Sequence, residues 1–150
     1  VTVTLVEVLR DETKRRAVVR DGVQVIDDEV ASRGGLSGLA LKAGYRAVQA
    51  VQPNMVAAAL GMLLPEFAPV LDPFYAAGRA EGDVERHFRT HATAIADALL
   101  AVTDRRAKSS SNAVVKKAYG ALRGTAQREV AASVPRLASL IRRHVSEGAP

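Results

Sequence analysis

The sequence predicts an all-α fold, on three observations. Apolar residues recur at helical spacing, as in Val84, Phe88, His91, Ile95, Leu99 and Val102. Aromatics make up 4% of a chain that is 48% hydrophobic and has no Trp, so the core must be built from Ala, Val and Leu, which suits closely packed helices. No stretch shows strand alternation of useful length. At 150 residues the chain is expected to form one domain over residues 1–150, a compact set of about seven or eight helices.

The elements follow from caps and breakers. Thr4-Leu5-Val6-Glu7 has the spacing of a capping box and starts a short first helix. Asp11 caps a second, whose apolar stripe is Val19, Val23, Ile26 and Val30. Asp27-Asp28-Glu29 reads as its solvated end, and Arg33-Gly34-Gly35 breaks it. Ser37 is expected to cap the next helix, which carries Lys42 and Tyr45 and ends at Pro53. Met55 to Leu64 is an apolar helix of about 10 residues, short of the roughly 20 that a membrane span needs, so no transmembrane segment is expected. Pro65, Pro69 and Pro73 should then kink or fragment the chain, because a proline inside a helix costs about 3 kcal/mol. Gly78 to Gly82 reads as a linker. A long helix from Val84 follows, then the Ser109-Ser110-Ser111-Asn112 loop, a helix bearing Lys116 and Tyr119, and a last helix opened by Pro135.

The chain resembles itself. Ser37 to Val48 aligns without a gap on Ser111 to Leu122, with Ser, Lys, Tyr and Ala at the same spacing. Further on, Leu64-Pro65-Glu66-Phe67-Ala68 meets Val134-Pro135-Arg136-Leu137-Ala138. The expectation is two tandem pseudo-repeats of roughly 70 residues, about 12–78 and 83–147.

Composition narrows the chemistry. With no Cys there is no disulfide, thiolate nucleophile or Cys-ligated metal. That fits a reducing compartment, and the opening residues lack the basic start and apolar run of a secretory signal, so a cytoplasmic location is expected. Net charge is +5, unevenly spread. Residues 55–104 hold 3 basic and 7 acidic groups, and residues 105–150 hold 10 and 2. An acidic middle thus precedes a basic end.

Catalytic motifs are absent from the sequence: there is no nucleophile elbow, and Gly34-Gly35-Leu36-Ser37-Gly38 lacks the spacing of a phosphate loop. Glu66 and Asp72 are isolated carboxylates that burial alone would have to make into an acid or a base. His87 and His91 stand four apart and face one side of a helix, with Asp83 a turn earlier. They are weak metal candidates, since Arg86 and Arg89 bring positive charge to the same place and His91 falls on the apolar stripe. Lys42 with Tyr45, and Lys116 with Tyr119, are three apart and share a helix face. They define two pseudo-symmetric anion sites in which ammonium and phenol hold the ligand; the plainer alternative is a tyrosine anchor under a snorkelling lysine. Neither a cofactor nor an enzymatic activity is expected.

The basic end carries the strongest expectation. Lys116, Lys117, Arg123, Arg128, Arg142 and Arg143 would present a face able to meet nucleic acid or an acidic protein surface. No aromatic platform for stacked bases is interleaved with them.

Gly35 to Tyr45, Leu64 to Phe67 and Ser111 to Arg123 together resemble a small family of uncharacterised actinobacterial proteins. The resemblance runs along nearly the whole chain and implies a bacterial, self-contained helical domain, with no activity, cofactor or catalytic residue attached. The functional expectation is therefore a non-enzymatic binding or assembly module working through its basic C-terminal helices. One rival is a carrier of small apolar ligands or lipid, with a cavity between the repeats near Met55, Met62, Phe67 and Phe74. The other is a structural homo-oligomer in which the acidic middle meets a neighbour's basic end.

Overall fold

Thr4 and Glu7 close the expected capping box at the start of α1 (Leu5–Val8), and the Asp11 carboxylate accepts from Lys14 N–H to start α2 (Glu12–Ser32). The structure, a computed structural model, describes residues 3–148. The remaining helices are α3 (Gly35–Val51), α4 (Met55–Glu81), α5 (Val84–Thr90), α6 (Ala92–Ser109) and α7 (Ala113–Gly148), with no strand among the described residues.

Four helices make the body. α2 runs against α4, with Gly22 beside Leu60 and Gly61 beside Val19. α4 runs against α5 and α6, from Gly78 beside Val84 to Glu66 paired with Arg106. α6 and α7 form a hairpin, with Asp104 on Arg123. α7 returns along α2, from Glu129 on Arg33 to His144 on Asp21. Every neighbour is antiparallel, so α2, α4, α6 and α7 form an up-down-up-down bundle. Its core is Leu5, Ala68, Leu71, Tyr75, Phe88, Ile95, Leu99, Val134, Ala138, Ile141 and Val145. The buried stripe of α4 (Leu64, Ala68, Leu71, Tyr75) is matched on α7 by Val134, Ala138, Ile141 and Val145, each seventy positions further on.

Several local expectations are overturned. α4 is continuous through all three prolines. Spacing of four puts Pro65, Pro69 and Pro73 on one exposed edge, where the lost hydrogen bonds do not face the core. α7 likewise continues through exposed Pro135 rather than restarting there, whereas the helices on either side of Pro53 are separated at Gln52–Asn54. Gly78 is no linker; it is buried within α4, and Gly82, at φ 83, ends that helix in the left-handed conformation. The predicted long helix from Val84 divides at His91, which ends α5 and starts α6. α3 begins two residues before Ser37, with Gly34 at its cap and no side-chain cap bond. On α2 the buried residue is Val18, and the predicted stripe is half-buried. The reason lies in the partner: α2 meets α7 largely through charge, with Asp21, Asp28 and Glu29 on Arg143, His144 and Arg136.

Candidate functional site

The expected basic face splits into two kinds of residue. Arg123 binds Asp104 through Nε (2.8 Å) and Nη2 (3.2 Å), Arg142 lies 3.5 Å from Glu85, and Arg143 lies 3.6 Å from Asp21. These three are therefore tied to the chain's own carboxylates. Lys116, Lys117 and Arg128 are exposed on α7 and pair with no carboxylate among the described residues. The acidic middle is engaged in the same way through Glu66 on Arg106, Glu85 on Arg142 and Asp104 on Arg123, and outside it Glu29 pairs with both Arg33 and Arg136. Asp27, Asp28 and Glu29 are thus half-buried interhelical contacts and not a solvated end.

What remains is concentrated at the α6–α7 hairpin tip. Between Asp104 and Glu129 the chain has seven basic residues and no carboxylate. Of these, Arg106 and Arg123 are paired, which leaves Arg105, Lys108, Lys116, Lys117 and Arg128 exposed. Sequence reasoning missed Arg105 and Lys108; the acid-free run itself was the signal. Asn112 starts α7 by accepting from Val114 and Val115 N–H (3.0 and 3.1 Å). From Ala113 to Ala118 every residue of α7 is exposed, including Val114 at 77%. The apolar arc expected to be buried there is open, with Val115 37% and Leu122 47% exposed. Beside it, α4, the end of α6 and the start of α7 enclose a groove of about 540 Å3 that includes Met62, Ala107, Val115 and Tyr119.

The two Lys/Tyr helices have a common arrangement. Tyr45 donates its hydroxyl to Asp27 on α2, and Tyr119 donates to Asp104 on α6. Burial and then the neighbouring carboxylate hold both phenols above their ordinary value. In each expected anion site the phenol is already bonded to a carboxylate of the chain itself. Lys42 lines a recess of about 380 Å3 with Asp27, Tyr45 and Arg46, whereas Lys116 makes no ion pair with a carboxylate among the described residues. Both tyrosines read best as clamps between adjacent helices.

The histidine pair is likewise bonded within the chain. His87 is buried and donates from Nδ1 to Glu81 Oε2 (2.9 Å), while His91 donates from Nδ1 to the His87 carbonyl (2.9 Å). Their rings stack with centroids 4.0 Å apart. Asp83 caps α5 through Arg86 N–H (3.0 Å), so it does not join them, and no cluster of three metal-ligating side chains occurs among the described residues. Asp72 accepts from the N–H groups of Leu5 (2.6 Å) and Val6 (3.5 Å), fixing α1 on α4.

Two carboxylates, Asp21 and Asp104, contribute to the acid stability. Burial pushes Asp21 up, but hydrogen bonds from His144 and Arg20 and the charges of His144 and Arg143 outweigh it and hold the group below its ordinary value. Hydrogen bonds from Arg123 and then Tyr119 hold Asp104 down. A depressed carboxylate contributes stability that is fully present above the ordinary value, about 3.9, and is lost as pH falls through its folded value. Urea midpoints followed from about pH 5 to 3 should therefore fall steeply for the wild type. An Asp21→Asn/Asp104→Asn variant should start less stable and show a flatter acid limb; parallel limbs would refute this assignment.

Together these features define an all-α, up-down-up-down helical protein with an acid-free basic tip. The chain belongs to a family of unknown function (DUF6918), whose model matches residues 5–145. No curated protein and no solved structure matches it.

Proposed function

We propose that the protein is a non-enzymatic bacterial, cytoplasmic binding module whose α6–α7 tip meets an acidic or polyanionic partner. The observation that carries this reading is the run from Arg105 to Arg128, which has no carboxylate and five cations without an internal partner. Such a field attracts anions at long range and weakens with salt. The alternatives receive less support. The apolar cavity among α1, α2, α4 and α7 has about 60 Å3, below the about 300–1,000 Å3 of ligand pockets, and the groove of about 540 Å3 at Met62 opens to solvent instead of enclosing a ligand. Phe67 and Phe74 pack against the core, and Met62 is 57% exposed. Glu66, Glu85 and Asp104 are paired within the chain, which withdraws three of the middle's seven carboxylates from a neighbour's basic end.

The test is anisotropy of labelled poly-glutamate and of a labelled short DNA duplex, each titrated at about 50 and 200 mM salt. The wild type should bind at least one of them at the lower salt and weaken at the higher. Lys116→Glu/Lys117→Glu should bind at least about tenfold more weakly, as like charge is set against the ligand. No binding to either probe at low salt would overturn the reading, and an unaffected variant would move the site elsewhere.

A further inference from the structure

The exposed apolar side chains and the carboxylates of this chain keep apart. Residues 30–65 and 105–128 contain none of its 16 Asp and Glu residues. Every large apolar side chain that stands exposed among the described residues falls in one of these runs: Leu36, Leu39 and Met62 in the first, Val114, Val115 and Leu122 in the second. α2 and α6 end where α4 and α7 begin, so both runs reach the same end of the bundle. α3 carries the larger apolar face. Its half-buried side is Leu41, Tyr45 and Val48, and Asp27 behind it is taken by the Tyr45 hydroxyl. Its outer side is apolar as well: apart from Arg46, each exposed residue described on α3 is Gly, Ala or Leu, with Leu36 86% and Leu39 64% exposed. Arg46, two turns after Leu39, borders that face, and Lys42 lies one row further round. On α7, Val114, Lys117, Ala121 and Arg128 follow at helical spacing and are all exposed, so apolar and cationic groups share one stripe. A helix that is apolar on both sides needs apolar surroundings on both. Where cations border it and carboxylates are missing, those surroundings fit the boundary of an anionic bilayer, in which leucine enters the acyl region and Lys or Arg reaches the headgroups. We propose that this end of the bundle lies on an anionic lipid surface, with α3 as the helix that enters it. The proposal rests on the reading of the tip as an anion-seeking surface and names its partner.

Charge and apolar area together select this occupant over others. A nucleic-acid duplex would satisfy the cations but leave Leu36, Leu39 and Val114 in water, and Tyr119 is half-buried and bonded to Asp104, so it offers no stacking platform. A second copy of this chain, meeting the first through the same end, would set Lys42, Arg46 and Lys117 against their own kind with no carboxylate in either run to separate them.

The probes are sedimentable vesicles of phosphatidylcholine alone and of phosphatidylcholine with about 30% phosphatidylserine, run beside poly-glutamate and the DNA duplex. The full chain should bind the anionic vesicles at least about tenfold more strongly than the neutral ones. Because the chain has no Cys, Ala43→Cys on the exposed side of α3 takes a single environment-sensitive fluorophore. Its emission should shift to the blue on anionic vesicles and stay unchanged with poly-glutamate. Leu36→Ser/Leu39→Ser, which changes no charge at two exposed positions, should weaken vesicle binding at least about fivefold while helix content and poly-glutamate binding match the wild type. Equal binding to the two kinds of vesicle would overturn the proposal. Anionic-vesicle binding without a blue shift, or undiminished in the leucine variant, would overturn the entry of α3 and leave the electrostatic reading standing. Binding of poly-glutamate or the duplex with no vesicle bound would overturn the lipid surface in favour of that partner. Failure of all the probes would overturn both readings.

Discussion

Replacing Phe88 with alanine is expected to cost about 3–5 kcal/mol, the usual loss for a large aromatic removed from a packed core. Phe88 is fully buried on α5, a helix of seven residues held between α4 and α7. So short a helix has little stability of its own, and its position depends on the side chains it inserts. Phe88 shares the core with Tyr75, Ile95 and Val145, so its loss leaves a cavity bordered by several helices. Against a typical total of about 5–15 kcal/mol, that is a large share of the stability of the fold. A urea titration should show a large drop in midpoint with little change in slope. A loss below about 1 kcal/mol would mean that α5 does not pack where it is placed.

Adding a side chain at Gly78 should be the next most damaging change. A Cβ there would lie 2.9 Å from Val84 Cα and 3.2 Å from His87 Cβ. The nearest atom is backbone, which cannot swing aside, so α4 and α5 would have to separate. Gly78→Val is expected to cost about 1–3 kcal/mol, towards the upper end of overpacking losses. Gly120 supplies the contrast within the same measurement. It lies exposed in α7 with nothing within 4 Å of a built Cβ, so Gly120→Ala should raise stability by up to about 1 kcal/mol. Equal effects at the two positions would contradict the close approach of α4 and α5.

The helical class, the two N-terminal caps and the basic end were legible because each depends on local pattern. Thr4 and Asp11 cap through residues three positions away, and no distant contact can hide them. The prolines misled because their penalty depends on which way the helix edge faces, and that is decided by packing. Pro65, Pro69, Pro73 and Pro135 all lie on exposed edges. The basic face misled for a related reason: Arg123, Arg142 and Arg143 owe their partners to other helices. Composition counted the charges, but only the fold decided which were already matched. The tyrosines show the same limit. Lys42 and Tyr45 share a helix face as expected, yet Asp27, eighteen residues earlier, takes the phenol.

The proline edge of α4 also determines the medium that this helix suits. α4 has 27 residues and a stretch of mean hydropathy 1.5, enough by length and composition alone to cross a bilayer. Yet the carbonyls of Gly61, Pro65 and Pro69 each face a proline nitrogen four residues on, which has no hydrogen to donate. Those three oxygens need outside donors, and along an exposed edge water supplies them. Hydrocarbon offers no donor, and each unmet carbonyl there costs several kcal/mol. Three such oxygens in a row suit α4 to a wet flank, so the chain's longest apolar segment is fitted to hydration along one side and to a core along the other.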